Sequence, residues 1–106
     1  MNTSRLTALQ TFLEQDPSDS FTRYAIAMEY ASQKDFVSAI EHLKQVILND
    51  TNYIPAYHQL GLLYAQLGKK EESKKYFLLG IQAAKAVGDS HAQGEMQESL
   101  DELEEQ

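Results

Sequence analysis

Apolar residues return along this chain at three- and four-residue spacing, in six successive stretches separated by Pro, Gly or polar clusters. That spacing places them on one face of a helix. The first stretch predicts a helix over 3–15 with Leu6, Leu9, Phe12 and Leu13 on one face. Pro17 stops it, because the ring cannot continue an upstream helical turn. Ser18 or Asp19 then caps a helix over about 20–32. Its Phe21, Tyr24, Ala25, Ile26, Met28 and Tyr30 exceed one stripe and predict two contacting faces. Helix 36–48 carries Phe36, Ala39, Ile40, Leu43, Val46 and Ile47, and Asn49-Asp50-Thr51-Asn52 forms a turn. Pro55 opens the next helix, where its missing N–H is harmless, and Gly68 ends it. Tyr57, Leu60, Gly61 and Tyr64 form its stripe; Tyr76, Phe77, Gly80, Ile81 and Ala84 form that of helix 70–86. The last stretch, 89–105, has one narrow stripe, Met96, Leu100 and Leu103, on a polar helix.

Two glycines stand inside helices, Gly61 and Gly80. Each costs about 1 kcal/mol relative to alanine. Their presence predicts that two backbones approach too closely for a side chain. Subtracting 34 from the key positions reproduces the pattern upstream. Tyr57, Leu60, Gly61 and Tyr64 become Arg23, Ile26, Ala27 and Tyr30; Ser73, Phe77, Gly80 and Ile81 become Ala39, Leu43, Val46 and Ile47. One unit further back, Leu6, Leu9, Phe12 and Leu13 match Ile40, Leu43, Val46 and Ile47, and Asp16-Pro17 falls at Asp50-Thr51.

A helix–turn–helix repeating every 34 residues resembles the tetratricopeptide repeat. The resemblance rests on Tyr57, Leu60-Gly61, Tyr64, Leu67-Gly68, Ser73, Phe77 and Gly80, and upstream on Ile26-Ala27, Tyr30, Ala39, Leu43 and Val46. The family usually has Trp where this chain has Tyr57 and Arg23, and Pro where it has Thr51 and Lys85. The resemblance implies an all-α helical-hairpin repeat solenoid of about six antiparallel helices with a C-terminal capping helix. The expected layout is one domain over 1–106: an N-terminal half repeat at 3–16, repeats at 20–53 and 54–87, and a capping helix at 89–105.

Composition narrows the chemistry. A net charge of −7 argues against nucleic acid or an anionic membrane as partner. There is no cysteine, so disulfides and thiolate metal sites are out of reach. The start lacks a basic region before an apolar run, and no stretch approaches the ~18 apolar residues of a membrane span, which points to a cytoplasmic protein. His42, His58 and His91 lie one per helix with no His partner at i+4, so no metal or other cofactor is expected. No nucleophile elbow or phosphate-cradling loop is present, and adjacent carboxylates such as Glu71-Glu72 diverge on a helix. An enzyme is not expected. Lys69, Lys70, Lys74 and Lys75 read either as a patch for an acidic partner or phosphate or, favoured over it, as a solvated outer face supported by Glu71–Lys75 pairing. Acid in Asp101–Glu105 lies at a helix C-terminus, unfavourable to the macrodipole, and predicts fraying.

In proteins that this chain resembles, the first helix of each repeat lines a groove that holds a peptide or a helix. By register that implies a partner-binding groove of Phe21, Tyr24, Met28 and Ser32 from the first repeat and His58, Leu62 and Gln66 from the second. Its aromatic, thioether and aliphatic surface suits an apolar or amphipathic segment. The family's carboxylate clamp uses Lys and Asn where this chain has Tyr24, Met28, His58 and Leu62, so a chaperone-tail receptor is not expected. The function expected is a protein-interaction adaptor with a protein or peptide partner. The alternative is a structural module that pairs as a homodimer through the same face. In either case the C-terminal helix competes for that face.

Overall fold

The computed structural model describes residues 3–106. It contains six α-helices and, among the described residues, no strand. They are α1 (Thr3–Gln15), α2 (Ser20–Ser32), α3 (Phe36–Asn49), α4 (Ile54–Gln66), α5 (Lys70–Val87) and α6 (Ser90–Glu104). Two compact units divide the chain, Met1–Asp50 and Thr51–Gln106. In the first, α2 packs on α3 and α1 packs on α2; in the second, α5 packs on both α4 and α6, with a lighter α4–α6 contact.

Three of the four helix-to-helix turns within these units share one construction. Lys34, Gly68 and Gly88 each adopt a left-handed conformation, with φ of 63°, 75° and 76°. Each is followed by a residue whose N–H reaches back to close the helix: Asp35 to Tyr30 O at 3.0 Å, Lys69 to Tyr64 O at 2.9 Å and Asp89 to Ala84 O at 2.9 Å. Glycine is at home in that conformation; Lys34 adopts it against the steric preference of an L-residue. The helix starts differ between repeats. Asp19, Asp35 and Asp89 cap α2, α3 and α6 with their carboxylates, whereas Tyr53 and Lys69 stand before α4 and α5 with no side-chain cap. The Thr22 hydroxyl donates to Asp19 at 2.7 Å. That bond lowers the Asp19 pKa; desolvation opposes it, and the amides of Thr22 and Phe21 add smaller downward contributions.

The core of the first unit includes Ile26, Ala27, Ala39, Leu43 and Val46, all 0% exposed. In the second, Leu60, Ala84 and Met96 are 0% and Phe77 is 1% exposed. Gly61 faces the Phe77 ring, and a Cβ there would collide with it. Gly80 faces the Met96 sulfur and, at 2.7 Å from an added Cβ, the Cβ of Tyr57. One glycine thus admits α5 against α4; the other also admits α6. Ser73, fully buried, donates to the Gly61 carbonyl at 2.6 Å and satisfies its own hydroxyl.

Two expectations are corrected. Phe12 is 58% exposed, whereas Val46 and Gly80, at its equivalent positions, are buried. Gly80 is covered by Tyr57 of α4 and Met96 of α6; α1 packs on α2 with Leu6 buried and Phe12 left open to solvent. The lysine run does not simply pair within its helix: Lys74 crosses to Glu104 of α6 at 3.1 Å, Lys70 donates to the Gln106 carbonyl at 3.2 Å, and Lys75 lies 5.3 Å from the Tyr76 ring centre. These contacts also supply a partner for the acidic end of α6, whose fraying was expected from its own helix alone. Met96, Leu100 and Leu103 are all buried, so the α6 stripe faces the core of its unit.

Candidate functional site

The period of 34 residues carries side-chain geometry as well as helices. Tyr57 Oη donates to Thr51 O at 2.8 Å, and Arg23 Nη2 donates to Pro17 O at 3.2 Å. Arg23 therefore performs the tie that an aromatic residue makes in the second repeat. Tyr64 stacks on Tyr76 with centroids 5.6 Å apart and planes 8° from parallel. Tyr30 stacks on His42 at 5.4 Å and 13° in the same places of the first repeat. His42 is half-buried, and its Nδ1 is buried without a hydrogen-bond partner among the described residues. Burial lowers its pKa, the positive charge of Arg23 adds to this, and Glu41 acts in the opposite sense. Comparing polar as well as apolar positions at the 34-residue offset would have exposed this ring pair.

The α2 residues expected to meet a partner stand in the first unit. Phe21 is 70% exposed, and Tyr24 and Met28 are half-buried. Ser32 is exposed, and its hydroxyl donates to Glu29 O at 2.7 Å. The α4 residues stand in the second unit. His58 is half-buried, Leu62 is 41% exposed and Gln66 is exposed. His58 Nε2 lies 3.3 Å from Ser99 Oγ of α6, a hydrogen bond, and its ring meets Phe77 edge-on at 6.0 Å. Thus α6 contacts the α4 face at His58 and leaves Leu62 and Gln66 accessible.

The seam between α4 and α6 has two hollows, one on each side of the His58–Ser99 contact. The first, about 260 Å³, includes buried Ile54 and Met96, with exposed Asp89, His91 and Glu95 around them. The second, about 170 Å³, includes buried Phe77 and Leu103 beside Leu62, Ser99 and Glu102. These α6 residues were not anticipated as part of a site. Glu95, Ser99 and Glu102, spaced i, i+4, i+7, each stand one residue before the apolar stripe and so flank it on the helix. Among the described residues no group of His, Asp and Glu is placed to hold a metal, and no helix is long and apolar enough to cross a membrane.

Residues 54–87 match the family model of the tetratricopeptide repeat. The chain is similar to the solution structure of a tetratricopeptide repeat domain protein from Salinibacter ruber, at 29% identity and a TM-score of 0.79, over 84% of this chain and 90% of that one. It is similar to the solution structure of a Bordetella parapertussis protein at 25% identity and a TM-score of 0.82, over 94% and 87% of the two chains. The TPR2B domain of yeast Sti1, in a structure with pHsp70, shares the fold with a TM-score of 0.88 over 94% of this chain and 80% of that one, at 15% identity. No curated protein matches the sequence.

Proposed function

Because residues 54–87 are a tetratricopeptide repeat and the chain has the fold of that family's structures, we propose that it is an adaptor binding a peptide or helix of a partner protein. The binding residues are Phe21, Tyr24, Met28 and Ser32 on α2, and His58, Leu62 and Gln66 on α4. The observation that carries this reading is Leu62. It is a large aliphatic side chain on a repeat's first helix, 41% exposed and beside a hollow containing Phe77 and Leu103. A partner's apolar side chain placed there desolvates it, a contact worth on the order of 1–2 kcal/mol. The yeast domain, which was solved with a bound partner, supports the same use of the fold.

The test is the double change Met28→Ser with Leu62→Ser, read by circular dichroism beside affinity capture from the native extract. The expected outcome is unchanged helical content with capture lost. Collapse of the helices would make these residues core, and an intact fold with undiminished capture would move the binding surface elsewhere. Sedimentation of the unmodified chain over a concentration series separates this reading from self-association through the same face.

A further inference from the structure

We propose that the segment bound along the α4–α6 seam is cationic and seats two lysine or arginine side chains in the seam's two hollows. This rests on the adaptor reading above and adds the partner's chemistry. Both hollows combine buried apolar residues with exposed carboxylates: Ile54 and Met96 with Asp89 and Glu95 in one, Phe77 and Leu103 with Glu102 in the other. Lysine and arginine match that combination. Their methylene stems cover apolar surface while the charged end stays at a wet, acidic edge.

The alternatives fit less well. A purely aliphatic side chain covers the apolar floor but makes no use of the carboxylate edge, and an acidic one is repelled by it. Asp89 already accepts the Ala92 N–H at 3.0 Å, and Glu95 lies 3.4 Å from His91. Both stay acceptor-only groups able to take a further donor. Neither hollow is lined by a Lys or Arg of this chain among the described residues. Of the nearby lysines of α5, Lys74 pairs with Glu104, and Lys70 donates to the carbonyl of Gln106 at the end of the second hollow, leaving Glu102 without either. The net charge of −7 acts in the same sense, drawing a cationic segment toward the chain.

Spacing adds a second constraint. On α4 the two hollows are centred about seven residues apart, roughly 10 Å at the helical rise. A partner helix spans that with basic residues at i and i+7, and an extended segment with i and i+3. The His58–Ser99 contact lies between the two seats.

The probe is a synthetic amphipathic peptide of leucine and lysine, about fourteen residues or four helical turns. It is compared with versions carrying glutamine or glutamate in place of lysine. Binding to the full chain is followed by amide chemical shifts and fluorescence anisotropy. The lysine peptide is expected to shift the amides of Ala65 and Ala92, which line the second and first hollow, and to bind about tenfold more tightly than the glutamine one, an advantage that salt erodes. Glu95→Gln with Glu102→Gln should remove most of that advantage, while Asp101→Asn, on another side of α6 and lining neither hollow, should keep it. Equal binding of the lysine and glutamine peptides, with Ala65 and Ala92 shifted, would overturn the cationic preference and leave the adaptor reading standing. Equal loss in Asp101→Asn would reduce the effect to diffuse charge and overturn the seats. Failure of every peptide to shift α4 or α6 would overturn the seam as the seat of the bound segment, while the capture experiment above decides the adaptor reading.

Discussion

Gly61 and Phe77 are matched in size, and the first repeat shows another solution at the same positions. There Ala27 and Leu43 are both 0% exposed. A methyl group at Gly61 would enter the Phe77 ring, which is 1% exposed and has little room to turn. Alanine favours a helix over glycine by about 1 kcal/mol, but overpacking costs about 1–3 kcal/mol and should win. Gly61→Ala is therefore expected to lower the melting temperature by several degrees, and Gly61→Ala with Phe77→Leu to recover most of the loss. A double variant no better than the single would sink the pairing. His42 gives a pH signature. Its folded pKa is lowered, so the unfolded chain binds more protons between that value and the unperturbed ~6.5. Stability from this group is full above about pH 6.5 and declines as pH falls toward the folded pKa. Arg23 and Glu41 act on the ring, and Glu14 of α1 lines a hollow with it. His42→Tyr, copying Tyr76, should flatten that part of the dependence, measured as urea midpoints at neutral and mildly acidic pH. An unchanged slope would assign the effect to other groups.

At the scale of elements, Lys34 is the strained turn. Gly68 and Gly88 occupy the same conformation without a Cβ. Lys34→Gly should stabilise the first unit by about 1 kcal/mol, since a left-handed L-residue costs about 1–2 kcal/mol. A lower thermal midpoint would show that the lysine side chain contributes more than its backbone costs. This turn was legible in the sequence, because the 34-residue offset sets Lys34 against Gly68. Helix positions were legible for a related reason: apolar spacing and breakers mark them, and 36–48 and 70–86 appear as Phe36–Asn49 and Lys70–Val87. Phe12 shows where that reading ends. Spacing identifies an apolar face but does not say which part of it receives a neighbour. The lysine run shows the same limit, since local spacing pairs Lys75 with Glu71, whereas Lys74 meets Glu104 from another helix. The candidate seam was half legible: His58 and Leu62 follow from repeat register, but its acidic side depends on where α6 lies.

At the scale of the whole molecule, α6 covers part of the second unit's apolar surface. Met96, Leu100 and Leu103 are all buried, and Met96 fills the space that Gly80 leaves. Removing residues 89–106 withdraws these three side chains, on the order of 5 kcal/mol of burial, and uncovers the α5 face. The truncated chain should melt at a lower temperature and associate as its concentration rises. Sedimentation and thermal melting check both. A monomeric truncated chain with the original midpoint would mean that α6 does not protect that surface. The truncation also removes Glu104, the partner of Lys74, and, with Asp89, Glu95 and Glu102, the acidic side of the seam.

The two solutions at the glycine–phenylalanine contact also impose an order on sequence change. From an Ala and Leu pair, replacing Leu with Phe first meets an alanine methyl in its way. Replacing Ala with Gly first leaves a small void and a weaker helix, after which Phe fills the space. The second route passes through a loosened intermediate, the first through a crowded one. Drift between the two repeats is thus history-dependent at these positions: the same substitution in α5 is harmful or restorative according to what α4 has already accepted.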